Sequence, residues 1–339
     1  MKFISTFGLT FLFCLFSLNV EADPCHKRMG ALDIGSGSTK AYAALVDTCQ
    51  KRIIKPLFDE RISLAFKEDL SRSPDNRISD VVIKQASQKI SELIKKMRQQ
   101  KVKTISGIAT AAFRSAANGA DAAQKISKII KIPVQVLTQE EEALVGAKSA
   151  LSQLPEKPDS TQPVIVWDIG GGSMQMWAES QSSQPHLYKG DLASISFKDQ
   201  IIQRIHKQDL KKFSTPNPLR HHYKEAVVLA EKYAKTDVPE FFQKNGPRAR
   251  WLGIGGVLAL SVQEQVAKDQ GFFTQDDVAR TLKKQSKLTD QEIGGDFSST
   301  EASNLALVLG YMKALNLKKV ETFNVSLAQG WIFHQISKE

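Results

Sequence analysis

The chain has 339 residues, of which 42% are hydrophobic and 24% charged, and it carries a formal net charge of +10 at pH 7. This length suits two domains with large cores. The basic balance favours an anionic partner such as a polyanionic substrate, although scattered, solvated cations give the same sum. No run of six like charges and no nucleic-acid motif is present, so we expect no nucleic-acid partner.

The first predicted element is an export signal. Lys2 precedes an apolar stretch over residues 3–20, and residues 20–22 (Val-Glu-Ala) have the small-residue pattern of a cleavage site. This pattern predicts a signal peptide over residues 1–22 rather than an uncleaved membrane anchor, since no stop-transfer flank follows. No later stretch reaches transmembrane length. We therefore expect an exported protein, periplasmic or secreted, without stable membrane insertion.

A six-residue segment occurs twice, once near the start of each half. Residues 33–38 read Asp-Ile-Gly-Ser-Gly-Ser, and residues 168–173 read Asp-Ile-Gly-Gly-Gly-Ser. Each copy lies between two runs with strand character, which predicts two β-hairpins with the same glycine-rich turn. Gly allows close approach and a positive φ, so such turns can present backbone N–H groups to an anion. Two facing turns predict a clamp for phosphate.

Each turn begins with an aspartate at the end of an apolar strand, Asp33 in the first copy and Asp168 in the second. Such an aspartate can simply hydrogen-bond its own turn. The matched pair favours a metal site, because a carboxylate beside phosphate needs a cation between them. The repeat therefore predicts a two-lobed, metal-dependent protein that handles phosphate.

Two cysteines remain after the predicted signal, which contains Cys14. Cys25 and Cys49 each lie twelve residues from Gly37, so a regular hairpin would bring them face to face at its open end. Export permits oxidation. We predict a Cys25–Cys49 disulfide that staples the first hairpin, with two free thiols as the alternative. No Cys/His spacing indicates a zinc site.

Helices and strands alternate along the rest of the chain, which is typical of an α/β fold. Helices are predicted over residues 78–100, 120–131, 140–151, 220–235, 257–268, 274–287, 299–315 and through 331, and strands over 104–109, 134–137, 249–252 and 320–323. Three prolines in residues 155–163 predict the domain boundary. The lobes are then residues 23–152 and 164–339, joined by a linker over 153–163, and the tail can pack back on the first lobe.

Three further features can carry chemistry. The acids at 140–142 begin a helix, where they ordinarily serve the N-cap and dipole, but one lining a phosphate clamp can orient or deprotonate water. Arg114 follows a strand and can hold a phosphate bidentately or be a surface residue. Residues 253–256 (Gly-Ile-Gly-Gly) join a strand to a helix, an arrangement that binds anions.

These features, in this order, resemble the exopolyphosphatase/guanosine pentaphosphate phosphatase (Ppx/GppA) family of the actin, sugar-kinase and heat-shock-chaperone ATPase superfamily. The resemblance rests on residues 33–36, 110–114, 138–143, 168–173 and 253–256, and covers essentially the whole mature chain. It implies two ribonuclease-H-like (actin-like ATPase) lobes around a cleft. It also implies Mg²⁺ or Mn²⁺ near Asp168 with Asp33 opposite, a catalytic glutamate at Glu142 rather than Glu141, and phosphate on Arg114.

Some positions depart from that family. Gln175 replaces a glutamate, Gly37 replaces an asparagine, and residues 326–330 lack the usual arginine and glutamate. These departures resemble secreted apyrases, whose first motif also has the threonine found here at Thr39. Against that resemblance, the chain is short for an apyrase and aromatic base-binding segments are not evident.

The sequence thus predicts an exported hydrolase of terminal phosphoanhydride bonds, without a covalent phospho-enzyme. Inorganic polyphosphate is the first expected substrate and a nucleoside di- or triphosphate the second. Export disfavours guanosine pentaphosphate, and a phosphate-binding protein without turnover is a third possibility. Glu142 is expected to orient water with help from Gln175. The residues expected to bind substrate are Ser36, Gly37, Ser38, Thr39, Arg114, Gly170, Gly171, Gly172, Ser173, Gly255 and Gly256.

Overall fold

The computed structural model describes residues 24–154, 162–180 and 184–338. The predicted signal peptide and residues 155–161 of the predicted linker lie outside this part of the chain. Among the helices described, none combines the length and the apolar character needed to cross a membrane.

The chain alternates strands and helices along most of its length. The strands are β1 (His26–Ile34), β2 (Ser38–Asp47), β3 (Arg52–Ser63), β4 (Thr104–Ala109), β5 (Val134–Val136), β6 (Val164–Ile169), β7 (Met174–Ala178), β8 (His186–Gly190), β9 (Arg250–Ile254), β10 (Phe272–Thr274) and β11 (Lys319–Thr322). The helices are α1 (Phe66–Arg72), α2 (Asp80–Gln99), α3 (Ala111–Ser115), α4 (Gly119–Ile130), α5 (Gln139–Leu151), α6 (Ser194–Gln200), α7 (Tyr223–Asp237), α8 (Glu240–Asn245), α9 (Gln263–Ala267), α10 (Gln275–Gln285), α11 (Asp290–Ile293), α12 (Ser298–Ala314) and α13 (Leu327–Lys338). Two π-helical segments, Ile201–Ile205 and Gly256–Val262, follow α6 and precede α9, and a 3₁₀ turn at Arg220–His222 precedes α7.

The strands form two sheets built on one plan. The first has the order β3-β2-β1-β4-β5 and the second β10-β11-β9-β6-β7-β8. In each sheet an antiparallel three-strand meander is followed by parallel strands, through β1–β4–β5 in the first and β6–β9–β11 in the second. The predicted α/β class with two lobes is confirmed.

Both faces of the first sheet are covered, which explains why residues 29–32 of β1 form a continuous apolar run. Leu32 and Ile34 pack with α2 and α4 on one face. Met29 and Ala31 pack on the other face with Val145 of α5 and with the closing helix α13. Helix α13 is longer than the sequence predicts, since it continues past Trp331 to Lys338.

Helix α5 lies between the two sheets. Val145 belongs to the cluster under the first sheet, whereas Ala147 and Ala150 pack with Val166 and Ile254 of the second sheet. A helix that contacts packing partners on several sides is apolar nearly all round, and this is the case after the first turn of α5. Its N-terminus is thereby held at the cleft between the lobes.

Strand β3 is not predicted by sequence patterning, because Pro56 and several charges interrupt its alternation. It is the edge strand of the first sheet, where a proline is tolerated because its missing N–H faces away from the ladder. Its pairing with β2 shifts register between Ala43 and Ala44, where Ala44 lies opposite Pro56, and again between Leu45 and Val46.

The predicted disulfide is present between Cys25 and Cys49, with 5.4 Å between the two Cα atoms. The hairpin register differs by one residue from the regular hairpin expected, because His26 pairs with Asp47. The backbone N–H of Thr48 consequently donates to the carbonyl of Cys25 at 2.8 Å, and the disulfide bridges residues that are offset by one.

Candidate active site

The two repeated turns have the same hydrogen bond at their base. Gly35 N donates to Ser38 O at 2.9 Å, and Gly170 N donates to Ser173 O at 2.9 Å. The glycines of these turns do not use the positive φ that glycine permits. They serve close approach instead, because a Cβ on Gly172 would lie 2.3 Å from Ser36 Oγ of the opposite turn. The two turns therefore face each other in contact, as a clamp requires.

A cavity of about 390 Å³ lies between the lobes at these turns. Twelve of the residues proposed from sequence line it, namely Asp33, Ser36, Gly37, Ser38, Glu142, Asp168, Gly170, Gly171, Gly172, Ser173, Gly255 and Gly256. Three others do not line it. Thr39 is fully buried beneath the first turn, and Arg114 and Gln175 lie behind the lining.

Asp33 and Asp168 end β1 and β6 at the floor of the cavity. Burial raises the pKa of Asp33 to about 7, although the Lys40 ammonium lowers it. Burial also raises the pKa of Asp168 to about 7, and the nearby Glu142 carboxylate adds to the rise. The Oδ1 atom of Asp33 is buried without a hydrogen-bond partner. Both carboxyl groups thus lie where an added cation would stabilise their charged form.

Two carboxylates suit a divalent cation such as Mg²⁺, for which water and phosphate oxygens provide most of the ligands. Among the described residues, the side chains close enough to offer three ligand atoms are Cys25, Asp47 and Cys49, of which two are joined in the disulfide. The cleft therefore offers carboxylate oxygens from two lobes rather than a complete protein cage.

Gly255 makes room for Asp168. Its φ is +82°, a left-handed conformation that disfavours other residues, and a Cβ there would lie 2.1 Å from Asp168 Oδ1. The predicted glycine turn is shorter than the sequence indicates, because Gly253 belongs to β9. Gly255 and Gly256 form the turn itself.

The three acids at the start of α5 have three different roles. Glu141 closes a capping box with Thr138, and Glu140 forms an ion pair with Lys189. Glu142 takes no part in the capping box, and it lies at the cavity wall with 4% of its surface exposed. Burial raises the pKa of Glu142, whereas the Arg114 guanidinium lowers it. The ordinary capping interpretation therefore holds for two of the acids, and the third faces the cleft.

Arg114 contacts Glu142 from behind the cavity. Its Nη1 atom lies 2.6 Å from Glu142 Oε2 and donates to Leu137 O at 3.0 Å. Its Nη2 atom donates to Ser173 Oγ at 3.4 Å. Both terminal nitrogens of the guanidinium thus contact protein groups, and the side chain lies behind the residues that line the cavity.

Gln175 also acts through Ser173. Its Nε2 atom donates to Ser173 Oγ at 2.9 Å, and Ser173 Oγ donates to Glu142 Oε1 at 3.4 Å. A hydroxyl has two lone pairs and one proton. Because Arg114 and Gln175 both donate to this oxygen, its proton is directed to Glu142. Gln175 thus lies one contact behind the cavity lining and reaches Glu142 through Ser173.

Several lining residues were not identified from the sequence. The cations are Lys40 and Arg61, and the carboxylates beyond the proposed ones are Glu68, Glu264, Asp296 and Glu301. Carboxylates therefore outnumber cations in the lining. The net positive charge of the chain is not concentrated in its cleft, so a polyanion needs added cations to bind there.

Comparisons with known proteins agree with this architecture. The sequence model of the Ppx/GppA phosphatase family matches residues 45–216. The structure is similar to that of an exopolyphosphatase from Cytophaga hutchinsonii, at 15% identity and a TM-score of 0.71, over 92% of this chain and 98% of that one. It is also similar to a Ppx/GppA family member from Aquifex aeolicus, at 16% identity and a TM-score of 0.67, over 92% and 98% of the two chains. At these identities the likeness shows a shared fold, in agreement with the predicted pair of α/β lobes.

Proposed function

The chain belongs to the Ppx/GppA phosphatase family, whose model covers just over half of it, and from that premise we propose that this phosphoanhydride hydrolase is an exported exopolyphosphatase. In this proposal it releases the terminal phosphate of inorganic polyphosphate by attack of a water molecule. Export is supported by the Cys25–Cys49 disulfide, since such bonds persist in oxidising compartments.

The position of Glu142 carries the proposal. It is an acid that α5 does not need for capping, buried at the cavity wall and fixed by Arg114 and Ser173. Hydrolysis of a phosphoanhydride needs a carboxylate that orients or deprotonates water beside the terminal phosphoryl group. Glu142 has the place and the support for that role.

The turns would bind the phosphate oxygens through backbone N–H groups. The carbonyls of Gly170 and Gly171 accept hydrogen bonds from Ser194 and Ile195, at 3.2 and 2.9 Å. Within one trans peptide the C=O and N–H point in opposite directions. The N–H groups of Gly171 and Gly172 therefore point away from α6, and the turn can offer them to an anion.

Asp33 and Asp168 would hold Mg²⁺ or Mn²⁺, which supplies positive charge to the phosphate oxygens. The protein's own contribution is to keep both carboxylates at the end of their strands and to bring them together from the two lobes. Closure of the lobes would exclude bulk water from the attacking one.

Nucleotide hydrolysis, the alternative, has weaker support. A base needs an aromatic face, and among the described lining residues the aromatic one is Phe297. The Arg61 guanidinium lies over its ring, 4.2 Å from the centroid. We find no aromatic pair in this part of the chain that would hold a base between two rings.

Phosphate release by residues 23–339 with Mg²⁺ or Mn²⁺ tests the proposal. Long-chain polyphosphate, ATP, ADP and pyrophosphate are offered in parallel. Glu142→Gln should abolish release, whereas the matched control Glu141→Gln should keep turnover, because glutamine can replace glutamate in the capping box with Thr138.

Each alternative has its own outcome. Turnover by Glu142→Gln would show that the assignment of the base is wrong. Release from ATP and ADP but not from polyphosphate would assign an apyrase-like activity. Binding without release from any substrate would leave a phosphate clamp without catalysis.

A further inference from the structure

Three charged side chains form a row across the first sheet. Lys40 of β2 pairs in register with Asp33 of β1 on one side and with Arg61 of β3 on the other. Residues directly opposite one another lie on the same face of a sheet. All three line the cavity. The row therefore leads from the carboxylate at the catalytic end, past two cations, to the edge of the sheet.

Neither cation is neutralised by an ion pair. Among the described residues, no carboxylate oxygen lies within 4.0 Å of a charged nitrogen of Lys40 or Arg61, which is the distance that defines an ion pair. The Nε atom of Arg61 is buried without a hydrogen-bond partner. Burial lowers the pKa of both groups, which shows that their charge is costly where it lies. The carboxylates that act on these half-buried cations, Asp168 and Asp59 on Lys40 and Glu301 and Glu264 on Arg61, do so from beyond ion-pair distance, so each cation can still pair directly with a bound anion.

Arg61 is held in one place by the opposite lobe. Its guanidinium lies over the ring of Phe297, and its Nη2 atom is 3.2 Å from the position that a Cβ of Gly256 would occupy. Stacking of this kind fixes the plane of the guanidinium and leaves its edge free to bind an oxyanion. Arg61 is thus oriented before any ligand is present.

We propose that Lys40 and Arg61 bind the second and third phosphoryl groups of the substrate, so that this site selects chains of at least three linked phosphates. The inference rests on the proposed function, because Asp33 marks the position of the terminal group. Adjacent strands lie about 4.8 Å apart, so the backbones of Lys40 and Arg61 are about 5 and 10 Å along the sheet from that of Asp33. A linear oligophosphate can extend along such a row.

Carboxylates at the end of the row limit the affinity that a longer oligophosphate can add. Glu264, Asp296 and Glu301 line the cavity beside Arg61 and Phe297. Glu301 is fixed there by Ser261, whose Oγ donates to it at 2.6 Å. Like charges repel, so a fourth phosphoryl group that approached these carboxylates would gain little. Affinity should therefore rise up to triphosphate and change little beyond it.

Calorimetric binding tests this inference without turnover. Pyrophosphate, triphosphate and tetraphosphate are titrated, with excess Mg²⁺, into the Glu142→Gln protein and into the same protein with Arg61→Gln. A charge-assisted hydrogen bond is worth about 1.5–3 kcal/mol, so triphosphate should bind about 10- to 100-fold more tightly than pyrophosphate. Arg61→Gln should remove that step and leave pyrophosphate binding unchanged.

Arg52→Gln is the matched control. Arg52 begins the same strand, its side chain is 62% exposed, and it does not line the cavity. An Arg61→Gln protein that weakens pyrophosphate and triphosphate equally would overturn the proposal, as would an equal effect of Arg52→Gln. Melting temperatures of all variants separate loss of a contact from loss of the fold.

A nucleoside at the Phe297 end is the competing occupant. ATP that binds more tightly than triphosphate would assign that end to a base and overturn the phosphate row. The binding experiment and the phosphate-release experiment test the two proposals independently of each other. Stepwise binding without phosphate release from any substrate refutes the proposed function alone, and polyphosphate turnover without a step at triphosphate refutes the row alone.

Discussion

At the scale of single residues, the Arg114–Glu142 ion pair controls the state of the proposed base. Both side chains are mostly buried, with 20% and 6% of their surface exposed. Burial favours the neutral form of Glu142, and the guanidinium opposes that effect. The carboxylate can accept a proton from water only when it is ionised, so the pair links the position of Arg114 to the pH range of catalysis.

Arg114→Gln should therefore move the acid limb of the rate profile to higher pH. Without the guanidinium the pKa of Glu142 rises further, so a more alkaline solution is needed to ionise it. The measurement is kcat for phosphate release from pH 5 to 9. Arg114→Lys, which keeps the charge, is the control and should leave the limb nearly in place. An acid limb that does not move in Arg114→Gln would exclude Glu142 as the group that titrates.

The acids of α5 show how far residue roles can be predicted from sequence. The pattern at 140–142 is that of a capped helix start, and this is correct for Glu140 and Glu141. Which acid faces the cleft depends on the rotation of α5, and that rotation is set by packing against both sheets. Resemblance placed the role on Glu142, whereas spacing alone did not distinguish the three.

At the scale of elements, glycine has two separate uses in this site. In the repeated turns it allows backbone approach, as at Gly172 against Ser36. In the turn after β9 it allows both a left-handed conformation and room for Asp168. The sequence indicates glycine-rich turns in all three places. It does not indicate which property of glycine each turn uses, because that depends on the element packed against it.

Gly255→Ala separates these two uses. The left-handed conformation costs a residue other than glycine about 1–2 kcal/mol, and the added methyl would also displace the Asp168 carboxylate. Gly271→Ala is the matched control, since Gly271 has φ +65° and nothing within 4 Å of its would-be Cβ. Gly255→Ala should cost more thermal stability than Gly271→Ala, because its methyl also meets Asp168 Oδ1 and the carbonyl of Ile169. At a temperature where both variants are folded, only Gly255→Ala should lose phosphate release and stabilisation by Mg²⁺. Equal activity of the two would show that the position of Asp168 is unimportant.

The row of Asp33, Lys40 and Arg61 could not be predicted for a physical reason. A hairpin register can be counted outward from its turn only where no bulge intervenes. The register between β2 and β3 shifts twice. Pro56 also interrupts the alternation of apolar residues by which β3 would be recognised as a strand. The pairing of β1 with β2 could be predicted from the sequence, whereas the pairing of β2 with β3, which places Arg61 in the row, could not.

At the scale of the whole molecule, the charge of the chain and the charge of its cleft have opposite signs. The chain has a net charge of +10, whereas carboxylates outnumber cations in the lining of the cleft and include Glu68 and Glu264. The net positive charge of the chain predicted an anionic substrate, but that charge does not lie in the cleft where the substrate would bind. The cleft must instead obtain positive charge from bound cations.

Chelation of divalent metal should consequently weaken substrate binding as well as abolish turnover. We expect triphosphate to lose at least about 1.4 kcal/mol of binding free energy, a tenfold loss of affinity, when EDTA replaces Mg²⁺. Calorimetry at constant ionic strength measures this on the Glu142→Gln protein, with Na⁺ replacing the removed charge as the control. Unchanged affinity in EDTA would mean that the N–H groups and the two cations bind the substrate by themselves.

The closing helix joins the lobes into one folding unit. Helix α13 follows the second sheet in the chain but packs under the first, where Ile332 is buried and Trp331 Nε1 donates to Ser106 Oγ at 3.1 Å. Helix α5 packs against α13 and also against the second sheet. Cooperativity follows from this arrangement, because neither lobe keeps its full core without an element that also contacts the other.

Calorimetric melting of the full chain should accordingly show a single transition. Trp331→Ala removes a large buried side chain and should cost about 3–5 kcal/mol, either lowering that transition or splitting it as the first lobe melts ahead of the second. His334→Ala is the control, since its ring stacks on Trp331 from the partly exposed side, with centroids 5.2 Å apart. Two well-separated transitions in the unmodified protein would show instead that the lobes fold independently and that α13 contributes only local packing.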